Sequence, residues 1–318
     1  MGSPPSSYAR GFGGQVAGMT ANDKRMYLTE YLLFAVDKLK HAGVYNPQLV
    51  ARLIVEHALN IDHLQMIVQT ERVLASEDIG SLDGFLERRI KGETVARIKG
   101  QREFWGLDFG LNEATLEPRP DSETLVEAVL TLMPRGRAAL DSRFRGNDDV
   151  RLLDLGTGTG CLLLALLYEM REATGIGIDI NPRAIEQAAL NAEALGFDGR
   201  ASFCVGNWLT NVTEKFDIIV SNPPYIPSTE IPGLMKEVRD FDPLLALDGG
   251  EDGLVCYRSL IPQLANFLYP NGIVAFEVGD GQAPLVAEIF RQNGFTNIVT
   301  HKDLSGIERC VTADRSAS

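Results

Sequence analysis

The chain has 318 residues, 45% of them hydrophobic, and a formal net charge of −13, which is room for two domains and a full core. A surface this acidic argues against a duplex nucleic acid partner, which a basic face normally holds, and no apolar run is long enough to cross a bilayer. Cys161, Cys204, Cys256 and Cys310 stand in apolar runs without a C-x-x-C pair, and His41, His57, His63 and His301 lack metal-ligand spacing; the reading is reduced core thiols, no metal and a cytoplasmic setting.

Residues 1–20 are rich in Gly, Ser and Pro and lack the apolar stretch of a signal peptide, so 1–22 is expected to be a disordered extension. Residues 23–99 carry a helical pattern. Leu28, Leu32, Ala35, Val36 and Leu39 share one face, and Gly43 can end that helix. Asn46-Pro47 opens a second helix through Leu49, Leu53, Ile54, Ala58 and Leu59. A third, after Ser76, runs through Leu82, Phe85, Leu86 and Ile90. This small bundle holds no convergent catalytic set; it is either a packing appendage or a substrate-recruiting module. Phe104, Trp105, Leu107, Phe109 and Leu111 then partly alternate with small or polar residues, which predicts a β-hairpin linker over 100–117. Pro118-Arg119-Pro120-Asp121-Ser122-Glu123 closes it and opens a helix through Leu125, Val126, Val129 and Leu130, with Asp121 or Ser122 as cap. Residues 134–149 are polar and aperiodic, an exposed insertion.

From Arg151 strands and helices alternate, which predicts a parallel sheet covered on both faces. Strands are expected at 151–155, 175–179, 201–205, 216–221, 272–278, 296–301 and 307–312, and helices at 161–170, 182–195, 253–268 and 282–292. In such sheets ligands bind at the carboxyl ends of the strands, and here those ends are chemically distinctive.

After the first strand comes Asp154-Leu155-Gly156-Thr157-Gly158-Thr159-Gly160, a G-x-G-x-G loop, not the G-x-G-x-x-G of dinucleotide sites. Asp154 would repel a pyrophosphate but could hold an amino group. Asp179, ending the next strand, is placed to hold ribose hydroxyls. Asn207 can bond an adenine edge and Trp208 can cover its face. Each has a plain alternative: a cap for Asp179, a turn for Asn207, core for Trp208. Together they imply an adenosine ligand without phosphates and with an amino-acid tail, which describes S-adenosylmethionine.

Asn222-Pro223-Pro224-Tyr225 follows the buried-strand pattern of 216–221. Two prolines cannot extend a strand, so the backbone leaves the sheet there. Asn-Pro and Pro-Pro are also ordinary turn punctuation. At a ligand-binding edge, however, the Asn222 side-chain oxygen and the Pro223 carbonyl can accept both N–H groups of a planar amine, while Tyr225 lies against its face.

These residues resemble those of class I S-adenosylmethionine-dependent methyltransferases, and most closely the release-factor glutamine methyltransferases, the HemK/PrmC family. The resemblance runs from about residue 24 to 314 and includes Gly100-Gln-Arg-Glu-Phe-Trp105, Pro118 to Glu123, Leu153 to Gly160, Val220 to Ile226, Leu244 to Leu254, Phe276-Glu-Val-Gly279 and Asp303 to Arg309. It implies a Rossmann-like α/β domain at 118–318, with a seven-stranded sheet whose last strand is antiparallel, preceded by the helical domain. It implies methyl transfer from S-adenosylmethionine to N5 of the glutamine in the Gly-Gly-Gln motif of class-1 peptide chain release factors. Asp154, Gly156, Thr157, Gly158, Thr159, Gly160, Asp179, Asn207, Trp208 and Asn222 would hold the cofactor; Asn222, Pro223, Pro224 and Tyr225 would hold the glutamine amide. Glu123 and Glu277 could assist near cofactor or substrate, and Arg309 reads as a structural ion pair. The expected enzyme is a cytoplasmic monomer whose partner is a release factor, with neither nucleic acid nor membrane involved.

Three other readings compete. An adenine-N6 methyltransferase shares the Asn-Pro-Pro-Tyr grip but needs a basic groove for a flipped base. A non-catalytic adenosine-binding module would have no need of residues 222–225. A NAD-dependent reductase is disfavoured by the glycine spacing. Gly13-Gly14-Gln15 repeats the target tripeptide within the chain itself.

Overall fold

The computed structural model describes residues 25–133 and 150–315. The expected N-terminal extension, Gln15 and the 134–149 insertion lie outside the described residues. The chain divides into two compact units, up to Leu86 and from Glu87 onward.

The first unit contains α1 (Leu28–His41), α2 (Pro47–Leu59), a short α3 (His63–Val68) and most of α4 (Ser76–Ile90). Its core is Leu28, Tyr31, Ala35, Leu39, Ala51, Ile54, Val55, Leu82 and Leu86. Gly43 takes φ +72° just past α1, and Asn46 caps α2 by accepting from the Leu49 amide, with Pro47 in the first turn. Leu49, expected on the buried face of α2, is instead exposed. The helix α3 carried too short an apolar pattern to be expected; Asp62 and Gln65 form its reciprocal cap.

The second unit begins with α5 (Val95–Lys99) and the antiparallel pair β1 (Gln101–Phe104) and β2 (Leu107–Gly110). Trp105 and Gly106 both have positive φ at the turn, the geometry that suits a two-residue hairpin. Next come α6 (Glu123–Leu132), β3 (Arg151–Leu155), α7 (Cys161–Glu169), β4 (Thr174–Asp179), α8 (Pro182–Ala194), β5 (Ala201–Val205) and β6 (Phe216–Ser221). A short α9 (Lys236–Arg239), α10 (Val255–Leu264), β7 (Leu268–Glu277), α11 (Ala283–Gln292), β8 (Thr296–Lys302) and β9 (Glu308–Asp314) complete the unit.

Seven strands form one sheet in the order β5-β4-β3-β6-β7-β9-β8. β3 pairs in parallel with β4 and β6, β4 with β5, and β6 with β7, while β9 runs antiparallel to both β7 and β8. The expected seven-stranded, mostly parallel sheet with an antiparallel last strand is therefore observed. Side chains alternate between two cores: Leu152, Ile218 and Ile273 on the face of α6 and α7, Leu153, Ile219 and Val274 on the face of α10 and α11.

Two boundaries differ from expectation by four residues. β7 starts at Leu268 rather than Gly272, because Leu268 pairs with Phe216 and a register shift absorbs the intervening residues. That pairing also ends α10 at Leu264, short of the expected 268. The cysteines are free, but only Cys310 is buried; Cys204 is exposed, against the expectation of a core thiol, because β5 is an edge strand with little covering its outer face. Among the described residues no helix is long and apolar enough to cross a membrane.

Candidate active site

The strand order sets β5, β4, β3 and β6 side by side. Their carboxyl ends bring Asn207 and Trp208, Asp179, the 154–160 loop and Asn222 to one rim. A cleft of about 260 Å³ opens there, lined by Gly156, Asp179, Asn207, Trp208, Asn222 and Pro224, with Pro243, Leu245 and Ala246 on its far side. Gly156 has φ +74°, and a Cβ on it would stand 3.3 Å from the Trp208 ring; only glycine lets the backbone run this close beneath the indole.

Asp179 is held from both sides. Its Oδ2 accepts from the Gly158 amide at 3.0 Å and its Oδ1 from the Asn181 amide at 2.9 Å. Burial raises its pKa, and these amides oppose the rise. Gly156 and Thr157 donate their amides to the Ile178 carbonyl at 2.8 and 2.9 Å, so the loop is stitched to the end of β4.

The rest of the loop stands behind the cleft. Asp154 is fully buried and its Oδ2 accepts from the Thr157 hydroxyl at 2.6 Å. Among the described residues its Oδ1 has no hydrogen-bond partner, and burial pushes the carboxyl up to about 7. The Thr159 carbonyl accepts from Asn191 Nδ2, and Gly160, at φ +81°, opens α7 against the Phe203 ring. The cleft therefore offers an indole wall, two carboxylates (Asp179 and Asp248) and three carboxamides (Asn181, Asn207 and Asn222), and among the described residues that line it none is a lysine or arginine. That donor set fits an adenosine with no phosphate.

All six residues of β6 are buried, and Ser221 Oγ donates to the Leu155 carbonyl at 2.7 Å, fixing the strand end from which the 222–225 turn departs. Asn222 Nδ2 donates to Ser122 Oγ at 3.3 Å. With the amide nitrogen engaged there, Oδ1 is the end left to a ligand. Ser122 occupies the N-cap position of α6, as expected, but its side chain makes no capping hydrogen bond; Asp121 is drawn to Arg309 at 3.5 Å.

Tyr225 is anchored at several points. Its hydroxyl donates to Glu277 Oε1 at 3.4 Å, and its carbonyl accepts from Gln282 Nε2 at 2.9 Å. Gln282 Oε1 in turn accepts from the Gly279 amide at 3.0 Å. Glu277 is 2% exposed. Burial pushes its carboxyl up to about 7, with Ser122, Arg309 and Tyr225 pulling the other way. Arg309 also bonds Asp303 at 3.1 Å, the ion pair expected of it. Glu123 faces the hairpin instead of the cleft: its Oε1 accepts from the Trp105 amide at 2.8 Å.

Ser122 and Gln282 are the residues that sequence reasoning did not single out here. Both lie in stretches that could have flagged them, Ser122 among the residues 118–123 and Gln282 just after Phe276-Glu-Val-Gly279.

A family model described as a methyltransferase domain matches residues 146–310, and one described as the PrmC N-terminal domain matches residues 30–100. The chain is 46% identical to the release factor glutamine methyltransferase of Rhodospirillum rubrum over 88% of this chain and 83% of that protein. It is 42% identical to the protein of the same name from Agrobacterium fabrum, over 89% and 96%. Among solved structures, the hMettl16 catalytic domain, crystallised with a 3'UTR hairpin, aligns with TM-score 0.53 at 15% identity, over 74% of this chain and 83% of that one. At that identity the likeness concerns the fold alone.

Proposed function

The chain belongs to the family of release factor glutamine methyltransferases, and from that premise we propose that it methylates the side-chain N5 of the glutamine in the Gly-Gly-Gln motif of class-1 peptide chain release factors. S-adenosylmethionine supplies an electrophilic methyl on a sulfonium. Gly156, Asp179, Asn207 and Trp208 would hold its adenosine portion, with the 154–160 loop shaping the floor beneath.

An amide nitrogen is a poor nucleophile because its lone pair is delocalised into the carbonyl. The chain's task is therefore to orient it and to favour its pyramidal form. Asn222 Oδ1 and the Pro223 carbonyl accept the two N–H bonds, and Tyr225 bounds the flat face. Good orientation lowers such barriers by about 7–11 kcal/mol relative to free reactants. Acceptors aimed at protons that grow more positive in the transition state add electrostatic stabilisation. Either acceptor, or water, can take the proton the methylated nitrogen releases, so no histidine or lysine base is required.

The observation that carries this reading is the bond from Asn222 Nδ2 to Ser122 Oγ, which presents an acceptor at the mouth of the adenosine cleft. We read residues 23–99 as the module that recruits the release factor, 100–117 as the linker and 118–318 as the transfer domain. The enzyme would act as a monomer in the cytoplasm, where its substrate is made.

The test is incubation with methyl-labelled S-adenosylmethionine and, in parallel, a purified release factor or an adenine-containing oligonucleotide, followed by peptide mapping. Label on the Gly-Gly-Gln glutamine is expected. No label on the release factor, or label on the oligonucleotide alone, overturns the reading.

A further inference from the structure

Glu277 is a buried acid beside the 222–225 turn that the transfer as described does not use. It ends β7, which pairs with β6 so that Phe276 lies opposite Ser221, and Glu277 and Asn222 are therefore neighbours at the same rim. Its Oε1 accepts from the Tyr225 hydroxyl at 3.4 Å, and its Oε2 has no hydrogen-bond partner among the described residues. Ser122, which takes the bond from Asn222 Nδ2, stands against the same carboxyl group. The Tyr257 hydroxyl donates to the Glu277 carbonyl at 2.7 Å, which fixes the backbone of the residue.

We propose that Glu277 is a positioning residue for the transfer site, holding Tyr225 through its hydroxyl and steadying Ser122, the partner that turns the Asn222 carboxamide. The proposal rests on the functional reading above. One carboxyl group thus governs both the acceptor and the aromatic wall of the amide pocket, without touching the amide. A buried carboxyl with an unpartnered oxygen is costly to retain for packing alone. Linked polar groups of this kind act as a unit, so removing any one member loosens the others.

The test measures kcat and KM for the release factor, and equilibrium affinity for S-adenosylmethionine, in Glu277→Leu, Ser122→Ala, the double variant and the conservative Glu277→Gln. Glu277→Leu removes the acceptor for the Tyr225 hydroxyl, and kcat falls on the order of a hundredfold, as expected when acceptor geometry is lost by a fraction of an ångström. KM and cofactor affinity stay within about twofold of wild type, because the lost interaction matters only in the transition state. Glu277→Gln keeps a side-chain oxygen that can accept from Tyr225 and recovers most of the loss. Ser122→Ala lowers kcat to a similar extent as Glu277→Leu, and the double variant is no worse than the poorer single one, since residues acting through one network are not additive. Near wild-type kcat in Glu277→Leu overturns the proposal. So do multiplicative losses in the double variant, or a parallel loss of cofactor affinity, which would mark a merely structural acid. If the wild-type chain leaves the release factor unlabelled, the functional reading has failed and this proposal falls with it; wild-type turnover that Glu277→Leu leaves unchanged sinks this proposal alone.

Discussion

Ser122 lies 100 residues before Asn222 in the chain, and its hydroxyl accepts from the Asn222 Nδ2 at 3.3 Å. With Nδ2 engaged in this way, Oδ1 is the end of the carboxamide left to accept from a ligand. An asparagine with its nitrogen outward would present a donor to a substrate that itself offers only donors at its reacting end. Asn222→Ala removes the acceptor while leaving Gly156, Asp179 and Trp208 in place. Turnover is expected to fall by roughly a hundred- to a thousandfold, the range for losing one transition-state acceptor or donor, with S-adenosylmethionine affinity within a few-fold of wild type. Single-turnover kinetics alongside a binding titration check it; near wild-type turnover would refute the role.

Tyr225 is held from below by glycines. A Cβ on Gly253 would sit 2.2 Å from the Tyr225 carbonyl oxygen and 2.5 Å from Gln282 Nε2, and the residue has φ +75°. Gly253→Ala therefore combines backbone strain with displacement of the turn. A stability loss of about 1–3 kcal/mol is expected from the strained conformation alone, together with a fall in turnover larger than the fall in cofactor affinity. Gly199→Ala is the control, because nothing stands within 4 Å of a Cβ there. Denaturation curves and the same kinetic assay compare the two; equal behaviour would show that the 222–225 turn tolerates displacement.

Much of this architecture is legible in residue patterns, for local reasons. The run 216–221 is apolar and then meets two prolines, so both a buried strand and its exit point can be inferred. Asn46-Pro47 and Asn181-Pro182 mark helix starts because cap chemistry is local, and both asparagines accept the expected backbone amide. What stays hidden depends on distant partners. Ser122 reads as a cap until Asn222 arrives beside it, and Gln282 reads as a helix start until Tyr225 lies 2.9 Å away. Glu123 is engaged by the hairpin turn, a contact no local pattern encodes. The start of β7 is obscured because Pro270-Asn271-Gly272 has the composition of a turn, yet Leu268 before it pairs with Phe216.

Asp154 yields a pH prediction. Its carboxyl is pushed by burial from the usual 3.8 up to about 7, with Asp179 facing it and adding to the rise, and the Thr157 hydroxyl opposing it. Between those values the folded chain keeps a proton that the unfolded chain has released. Stability therefore falls as pH rises through this window, from its full value below 3.8. Asp154→Asn cannot titrate and still accepts from Thr157. Relative to wild type, the variant should gain stability with rising pH, by up to about 1.4 kcal/mol per pH unit inside the window. Glu277, also raised, is present in both proteins and cancels in the difference. Chemical denaturation of the ligand-free proteins at about pH 5 and about pH 8 measures it; a pH-independent difference would contradict the assignment.

Asp242 anchors the segment that closes the far side of the cleft. Its Oδ1 accepts from Arg97 Nη2 at 2.6 Å and its Oδ2 from Arg119 Nη2 at 2.5 Å. The Arg97 and Asp242 side chains are 7% and 2% exposed, and Arg97 also donates to the Asn112 and Thr115 carbonyls. Pro243 follows Asp242 directly, and Leu245 and Ala246 line the cleft just beyond. Asp242→Ala leaves the Arg97 guanidinium buried without its counter-charge, a change that costs about 3–5 kcal/mol in comparable buried pairs. Because the released segment walls the adenosine cleft, S-adenosylmethionine affinity should drop as well, which separates this variant from Asn222→Ala. The exposed pair Arg258–Asp252 is the contrast: water and salt screen it, and Arg258→Ala should cost no more than about 1 kcal/mol. Denaturation curves and cofactor titrations on both variants check the pair of expectations. An Asp242→Ala protein as stable and as tightly binding as wild type would show that the segment is held by its apolar contacts, with the ion pairs contributing nothing net.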